Sequence, residues 1–427
     1  MHALYHTLLT VVILLTLPVW IWRYFSTPKY RGTVRQRLGW ISQQDSKNHT
    51  NKPCVWLHAV SVGEVMAARE LAARLIQSFP DHPLIITTVT RTGQQVAREK
   101  IPEAANWHYL PIDLPLCLHP LIDAIQPRLL VIMETELWPG LFRVLAKRGV
   151  PIFVVNGRIS PRSFRRYHAI RALTRLLLAD GHRYLMQSAP DAERLIAMGA
   201  PPDRVIVTGN LKYDQALKSP DPELTRQLAL RLPLPEQPVW IAASTHPGEE
   251  QILLTIHRQL LAHPLAPRLI LVPRHPERCP VLFEEIQQAG LHAQRFSATH
   301  GTWETPLLLV DEIGWLAALY RYGQVVFVGG SLVPRGGQNM LEAAAWGLPV
   351  LFGPHVFNFR EIAAQLEQAG GALRIDSAES LRHHLTDLLE NLPLRQKMGE
   401  AARAVIPLNA GALDRTIAAI RHALPEP

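Results

Sequence analysis

Cysteine is scarce: Cys54, Cys117 and Cys279 are the only three in 427 residues, and their spacing marks no pair. A disulfide scaffold and a cysteine-based metal site are thereby excluded, and a reducing compartment fits. Several signatures are missing too. The chain has no G-x-G-x-x-G after its first strand candidate and no G-x-x-x-x-G-K-[ST], which leaves dinucleotide oxidoreduction and P-loop hydrolysis without support. G-x-S-x-G and H-E-x-x-H are absent as well. No D-x-D motif or aspartate-rich segment is available for a hard cation. There is no internal repeat and no extended low-complexity tract.

What is present begins with an apolar opening. Residues 3–22 carry no acidic, lysine or arginine side chain, and Arg23, Lys29, Arg31, Arg35 and Arg37 follow. About twenty helical residues span roughly 30 Å, the hydrocarbon core of a bilayer. A membrane-anchor helix over residues 1–24 is the expectation, with a buried first helix of a soluble domain as the alternative. The basic flank on the C-terminal side puts the rest of the chain in the cytoplasm under the positive-inside rule. A cleaved signal would need a basic start and a small-residue site, and neither is visible. The formal charge of +8 favours anionic partners, and its concentration beside the apolar segment and at Arg158, Arg162, Arg165 and Arg166 suits a lipid surface better than a nucleic-acid groove.

Short apolar runs at 55–58, 84–89, 129–133, 152–156 and 184–187 read as strands separated by helices. In the first of those helices Val65, Ala68, Leu71, Ala72, Leu75 and Phe79 line one face. A second series runs through 239–243, 269–272, 307–310, 325–328 and 349–352, after a proline- and leucine-rich stretch at 218–238. Two α/β domains with parallel sheets follow, at 25–217 and 218–427. In such sheets ligands bind outside the carboxyl ends of the strands, so chemistry belongs in the loops after them.

In the loop after the first run, Ser61 is placed to cap a helix and Glu64 to complete a capping box. Glu64 is equally placed to meet a ligand. As a general base it would need burial to raise its proton affinity, which the helix N-terminus opposes. Glu134 and Glu136 follow the third run, ahead of Trp138-Pro139; they can bind a cation in principle, organise a substrate loop, or form an ordinary turn. The stretch NGRISPRSFRR at 156–166 presents forked donors for phosphate or carboxylate, or a solvated basic helix start. In the second domain three loops follow successive strands: one at 243–250, one with Arg274 and His275, and one with Gly329, Gly330 and Ser331 that leads on through Gly337 and Asn339 to Glu342. Glycines there let backbone N–H groups approach an anion, and Glu342 is a candidate acceptor for sugar hydroxyls. His246, His275 and His355 show no zinc spacing.

Six motifs in order, Ser61-Val62-Gly63-Glu64, Glu134-Thr135-Glu136-Leu137-Trp138-Pro139, Asn156-Gly157-Arg158-Ile159-Ser160, Gly209-Asn210-Leu211-Lys212-Tyr213-Asp214, Pro273-Arg274-His275-Pro276-Glu277-Arg278 and Gly329-Gly330-Ser331-Leu332, closely resemble the 3-deoxy-D-manno-octulosonic acid (Kdo) transferases of Gram-negative bacteria. The resemblance runs from the apolar opening nearly to the C-terminus. It implies a GT-B glycosyltransferase fold, two Rossmann-like domains facing a cleft, and a metal-independent, inverting transfer of Kdo from CMP-Kdo to the 6'-hydroxyl of a phosphorylated lipid A precursor in lipopolysaccharide biosynthesis. No cofactor is implied, and neither nucleic acid nor an obligate protein partner. It further implies an inner-membrane location with the catalytic domains on the cytoplasmic face. Glu64 takes the place of the family's catalytic base. Arg274, His275, Gly329, Gly330, Ser331, Gly337, Asn339 and Glu342 fall to the donor. Ser61, Gly63, Arg35, Arg37, Glu134, Glu136, Arg158 and Arg162 fall to the acceptor or to organising the site. Where the family reads GGHNPLEPA, this chain has Gln338 for the histidine and Met340 and Ala343 for prolines. Glutamine donates and accepts but does not titrate. Two other readings remain: a GT-B enzyme using a nucleotide-diphosphate sugar, and a bitopic scaffold that binds anionic lipid.

Overall fold

The computed structural model describes Thr7 and residues 33–40, 52–217, 221–299 and 301–424. The chain divides into two units, Met1–Gln215 with Ala410–Pro427, and Ala216–Asn409.

The first unit is built on strands β1 (Cys54–His58), β2 (Leu84–Thr88), β3 (Asn106–Tyr109), β4 (Pro127–Met133), β5 (Ile152–Gly157), β6 (Arg183–Met186) and β7 (Val205–Val207). They form one sheet in the order β3-β2-β1-β4-β5-β6-β7, with every neighbouring pair parallel. Helices cover both faces, so the inner strands are apolar on both sides and show no alternation. The helix Val62–Ser78 buries Val65, Ala68, Leu71, Ala72 and Leu75, and Phe79 packs at the border of the same core. Each fully buried leucine contributes about 2 kcal/mol through its removal from water. Strand order reverses between β1 and β4, which makes the loops after those two strands the crevice of this sheet.

The second unit repeats the plan with β8 (Val239–Thr245), β9 (Arg268–Pro273), β10 (Ala293–Arg295), β11 (Leu307–Leu309), β12 (Val325–Val328), β13 (Val350–Phe352) and β14 (Ala372–Arg374). Its order is β10-β11-β9-β8-β12-β13-β14, again all parallel, with the reversal between β8 and β12. Helices Glu250–Leu261, Cys279–Gln288 and Ala378–Glu390 bury Leu253, Leu282, Ile286, Leu381 and Leu385 in one core of this sheet.

Two expectations change. Among the described residues no helix is long and apolar enough to cross a membrane. Residues 3–22, on which the anchor expectation rested, lie outside the described residues apart from Thr7. The fold class is therefore corrected to two parallel α/β units, consistent with a GT-B-like architecture, with no anchor helix among the described residues. The single-pass inner-membrane placement is withdrawn with it.

The second domain is expected to run through to 427, whereas Ala410–Pro427 groups with the first unit. The cause is local. Helix Ala412–His422 buries Ala412, Leu413, Ile417 and Ile420 in the core shared with helix Val62–Ser78. Its first turn is capped from a distant segment: Asp214 accepts from Gly411 N–H at 2.8 Å and Leu413 N–H at 3.4 Å. Arg415 Nε donates to Thr208 O at 2.8 Å, and Arg74 pairs with Asp414 at 2.7 Å. Asp214→Ala removes both the cap and a favourable charge at a helix N-terminus, a loss of about 1–2 kcal/mol. Limited proteolysis should then cut near Asn409 faster than in wild type; an unchanged cleavage rate would show that apolar packing alone holds the helix.

Candidate active site

At the reversal point of the first sheet, the loop after β1 delivers Glu64 on the first turn of its helix. The side chain is only 9% exposed. Its Oε2 accepts from Val60 N–H at 2.8 Å and its Oε1 from the Ser61 hydroxyl at 3.0 Å. The expected capping box is not formed: the carboxylate reaches back past the N-cap to the Val60 N–H, and Ser61 donates to the carboxylate instead of accepting from the helix. Burial pushes the Glu64 carboxyl up to about 7. The two hydrogen bonds pull it down, while the charges of Glu134 and Glu136 push it further up. The conflict between burial and helix N-terminus is therefore decided for burial, and Glu64 is poised to take up and release a proton near neutrality.

Glu134 and Glu136 come from the loop after β4. Glu134 N–H still donates to Val155 O at 2.8 Å, but its φ of +55° ends the extended strand, so the i, i+2 alternation does not carry over to Glu136. Burial raises the Glu136 carboxyl and the Glu134 charge adds to the rise. Thr135 ties this loop to the next: its hydroxyl donates to Arg158 O at 2.6 Å and accepts from Arg158 N–H at 2.9 Å. Lys212 completes the cluster. Burial lowers its ammonium, Glu134 opposes the fall and Arg158 adds to it. Lys212 stands in one of the six motifs yet was assigned no role; the charge balance around Glu134 is visible only in three dimensions. Among the described residues no group of three or more His, Cys, Asp or Glu side chains is arranged to hold a metal ion.

The remaining first-unit candidates separate. Gly63 is exposed on the first turn beside Glu64, and Arg162 is exposed on the helix Pro161–Ala169. Arg35 is exposed on the short helix Val34–Arg37. Arg37 points inward: it stacks over the Tyr109 ring at 5.1 Å and donates to Val89 O, fastening that helix to the sheet.

In the second unit, the loops after β8, β9 and β12 meet at its reversal point. Gly330 touches three of their side chains: a Cβ there would lie 3.2 Å from His246, 3.3 Å from Gln338 and 3.5 Å from Arg335. The His246 and His275 rings stand edge to face at 5.6 Å, and Gln338 Nε2 lies 3.1 Å from His246 Nε2. Burial lowers the His246 imidazole, and His275, Arg335 and Arg274 repel its charged form. Three cationic or potentially cationic groups surround a fourth, with Arg274 and Arg335 exposed, a charge arrangement suited to a small anion. Gln338 is thus a neutral partner of His246.

The glycine-rich turn differs from expectation. Gly329 N–H donates to Ala243 O, and the N–H groups of Gly330, Ser331 and Leu332 all go to Glu249. The Ser331 side chain is buried and bridges Val328 O and Gly353 N–H. These backbone donors are occupied from within, so the turn shapes the anion site without itself supplying the N–H groups assigned to a ligand. Gly337 N–H closes onto Gly330 O at 2.8 Å. Beyond it Asn339 Nδ2 donates to Glu342 Oε1 at 2.9 Å; burial raises the Glu342 carboxyl and this bond opposes the rise.

Residues 32–215 match the family described as 3-deoxy-D-manno-octulosonic-acid transferase (kdotransferase). A 3-deoxy-D-manno-octulosonic acid transferase of Haemophilus influenzae is 37% identical over 394 residues, covering 92% of this chain and 91% of that one. The Bordetella pertussis enzyme of the same name is 36% identical over 380 residues, 86% of each chain. Among solved structures, a putative UDP-N-acetylglucosamine 2-epimerase from Listeria monocytogenes superposes with a TM-score of 0.59 at 17% identity, over 87% of this chain and 96% of that one, a likeness of fold alone.

Proposed function

The chain belongs to the 3-deoxy-D-manno-octulosonic acid transferase family, and from that premise we propose that it is a glycosyltransferase that moves Kdo from CMP-Kdo onto the lipid A precursor. The observation that carries the catalytic assignment is Glu64: a carboxyl at the sheet's reversal point, nearly buried, with its proton affinity raised to about 7.

In this reading Glu64 removes the proton of the 6'-hydroxyl on the acceptor's distal glucosamine. The hydroxyl oxygen forms its bond to the anomeric carbon of Kdo, and the bond from that carbon to the phosphate oxygen breaks with its electron pair going to CMP. Attack opposite the departing phosphate inverts the anomeric configuration. Arg274, His275, Arg335 and His246 offset the charge that grows on the leaving group. Glu342, held by Asn339, accepts from ribose hydroxyls. Glu134, Glu136, Lys212 and Arg158 set the field around the base, and Arg162 and Arg158 meet acceptor phosphates.

Incubating the purified full chain with CMP-Kdo and the lipid A precursor should give a product heavier by one or more Kdo residues. A mass unchanged after complete recovery of the acceptor would sink the donor and acceptor assignments together.

A further inference from the structure

Glu249 makes an unusual set of contacts. It sits in the loop after β8, is fully buried, and accepts four backbone N–H bonds. Oε2 takes those of His246 at 3.0 Å and Gly330 at 2.7 Å. Oε1 takes those of Ser331 at 2.9 Å and Leu332 at 2.8 Å. A carboxylate has about four acceptor positions, and all are filled. Successive N–H groups converging after a glycine turn make an anion-binding concavity, and at the reversal point of a parallel sheet that concavity lies where a ligand phosphate would be received. Here the protein's own carboxylate fills it. The concavity also adjoins the cationic cluster, because a Cβ on Gly330 would meet His246, Gln338 and Arg335.

We infer that Glu249 is a specificity-determining residue that restricts the donor site to a nucleotide carrying a single phosphate. The inference rests on the CMP-sugar reading above and deepens it. One phosphate meets Arg274, His275, Arg335 and His246. A second, as in a nucleoside diphosphate, would need its own donors; the nearest convergent N–H groups are saturated, and the group saturating them carries a negative charge that repels it. The same fold with this carboxylate removed would offer those N–H groups to the distal phosphate. The motif resemblance does not point to Glu249, and three of its four partners lie 81 to 83 residues away.

The test is calorimetric titration of CMP and of CDP into the full-length wild type, Glu249→Ala and Glu249→Gln. Wild type should prefer CMP. In Glu249→Ala the affinity ratio of CDP to CMP should rise about tenfold, and a rise of threefold or more supports the inference. Glu249→Gln keeps the size, drops the charge and leaves one pair of N–H groups facing an amide NH2 that cannot accept, and it should shift the ratio in the same direction; it decides the matter if the alanine variant does not fold. A purely structural role for Glu249 would weaken both nucleotides by the same factor. A ratio within threefold of wild type in the folded variants overturns the inference alone. Failure of wild type to bind CMP overturns the donor reading and this inference with it.

Discussion

Glu64→Gln should abolish sugar transfer and, above pH 7, stabilise the fold. The first effect follows from the loss of a positioned base, about 10²–10⁴-fold in turnover. Glutamine keeps one oxygen for the Val60 N–H and turns its amide NH2 to the Ser61 hydroxyl, which then accepts instead of donating, so the loop is retained while proton uptake is lost. In wild type, transfer at subsaturating substrate should rise with pH through an inflection near 7, as the carboxyl that burial holds up to about 7 becomes a carboxylate. The second effect is linkage. Because the folded-state proton affinity is raised above that of the unfolded chain, the native state binds more protons between about pH 4.5 and 7. Stability tied to this group is complete below about 4.5 and lost as the pH rises through 7. The full penalty is of order 3 kcal/mol at most. The glutamine variant escapes it, so its melting temperature should exceed wild type at pH 8 and match it near pH 4. A variant that transfers Kdo at near wild-type rate, or that melts lower at pH 8, would refute the assignment of Glu64 as a buried base.

Which parts of this molecule are readable in its sequence has a physical pattern. Ten apolar runs marked strands, and all ten fall on β1, β2, β4, β5, β6, β8, β9, β11, β12 and β13. The four that escaped notice, β3, β7, β10 and β14, are the outer strands of the two sheets. An edge strand is short and partly solvated: β10 is Ala293-Gln294-Arg295 with no residue fully buried, and β7 has two of its three exposed. Only strands buried on both faces need continuous apolar sequence. The site divides along similar lines. Glu64 was visible because strand, loop and helix are contiguous around it. The turn at Gly329–Ser331 reads from its glycines as a cradle for a ligand anion, whereas its N–H groups go to Glu249, some eighty residues earlier, and no local pattern joins the two. Asp214 capping a helix nearly two hundred residues later belongs to the same class of long-range partner. Arg37 shows the converse error: a basic residue in a basic stretch reads as surface charge until an aromatic ring and a carbonyl turn it inward.

The segment Pro273–Arg278 holds two arginines with opposite duties, and substituting each should separate them. Arg278→Ala should be among the most destabilising single changes in the second unit. Its Nη1 and Nη2 reach Glu250 Oε1 and Oε2 at 3.1 and 3.0 Å, and Glu250 is fully buried. Among the described residues the only other side chain bonded to that carboxylate is Thr245, at 3.1 Å. Removing the guanidinium strands a buried charge, at a cost of about 3–5 kcal/mol. Solvent access to Arg278, whose side chain is 29% exposed, favours the lower end. Replacing both partners with apolar residues of similar volume should recover most of the loss, because the penalty comes from the uncompensated carboxylate and not from the absence of attraction. Arg274→Ala should do the reverse: its side chain is exposed, so the fold should keep its stability while CMP binding weakens. A two-unit chain need not unfold in one step, so the readout is hydrogen exchange at the buried amides of β8, beside CMP titration of each variant. Unchanged exchange in Arg278→Ala would mean that water or a rearranged side chain satisfies Glu250. Exchange accelerated as much by Arg274→Ala would mean that the segment acts as a single structural unit with no ligand-facing half.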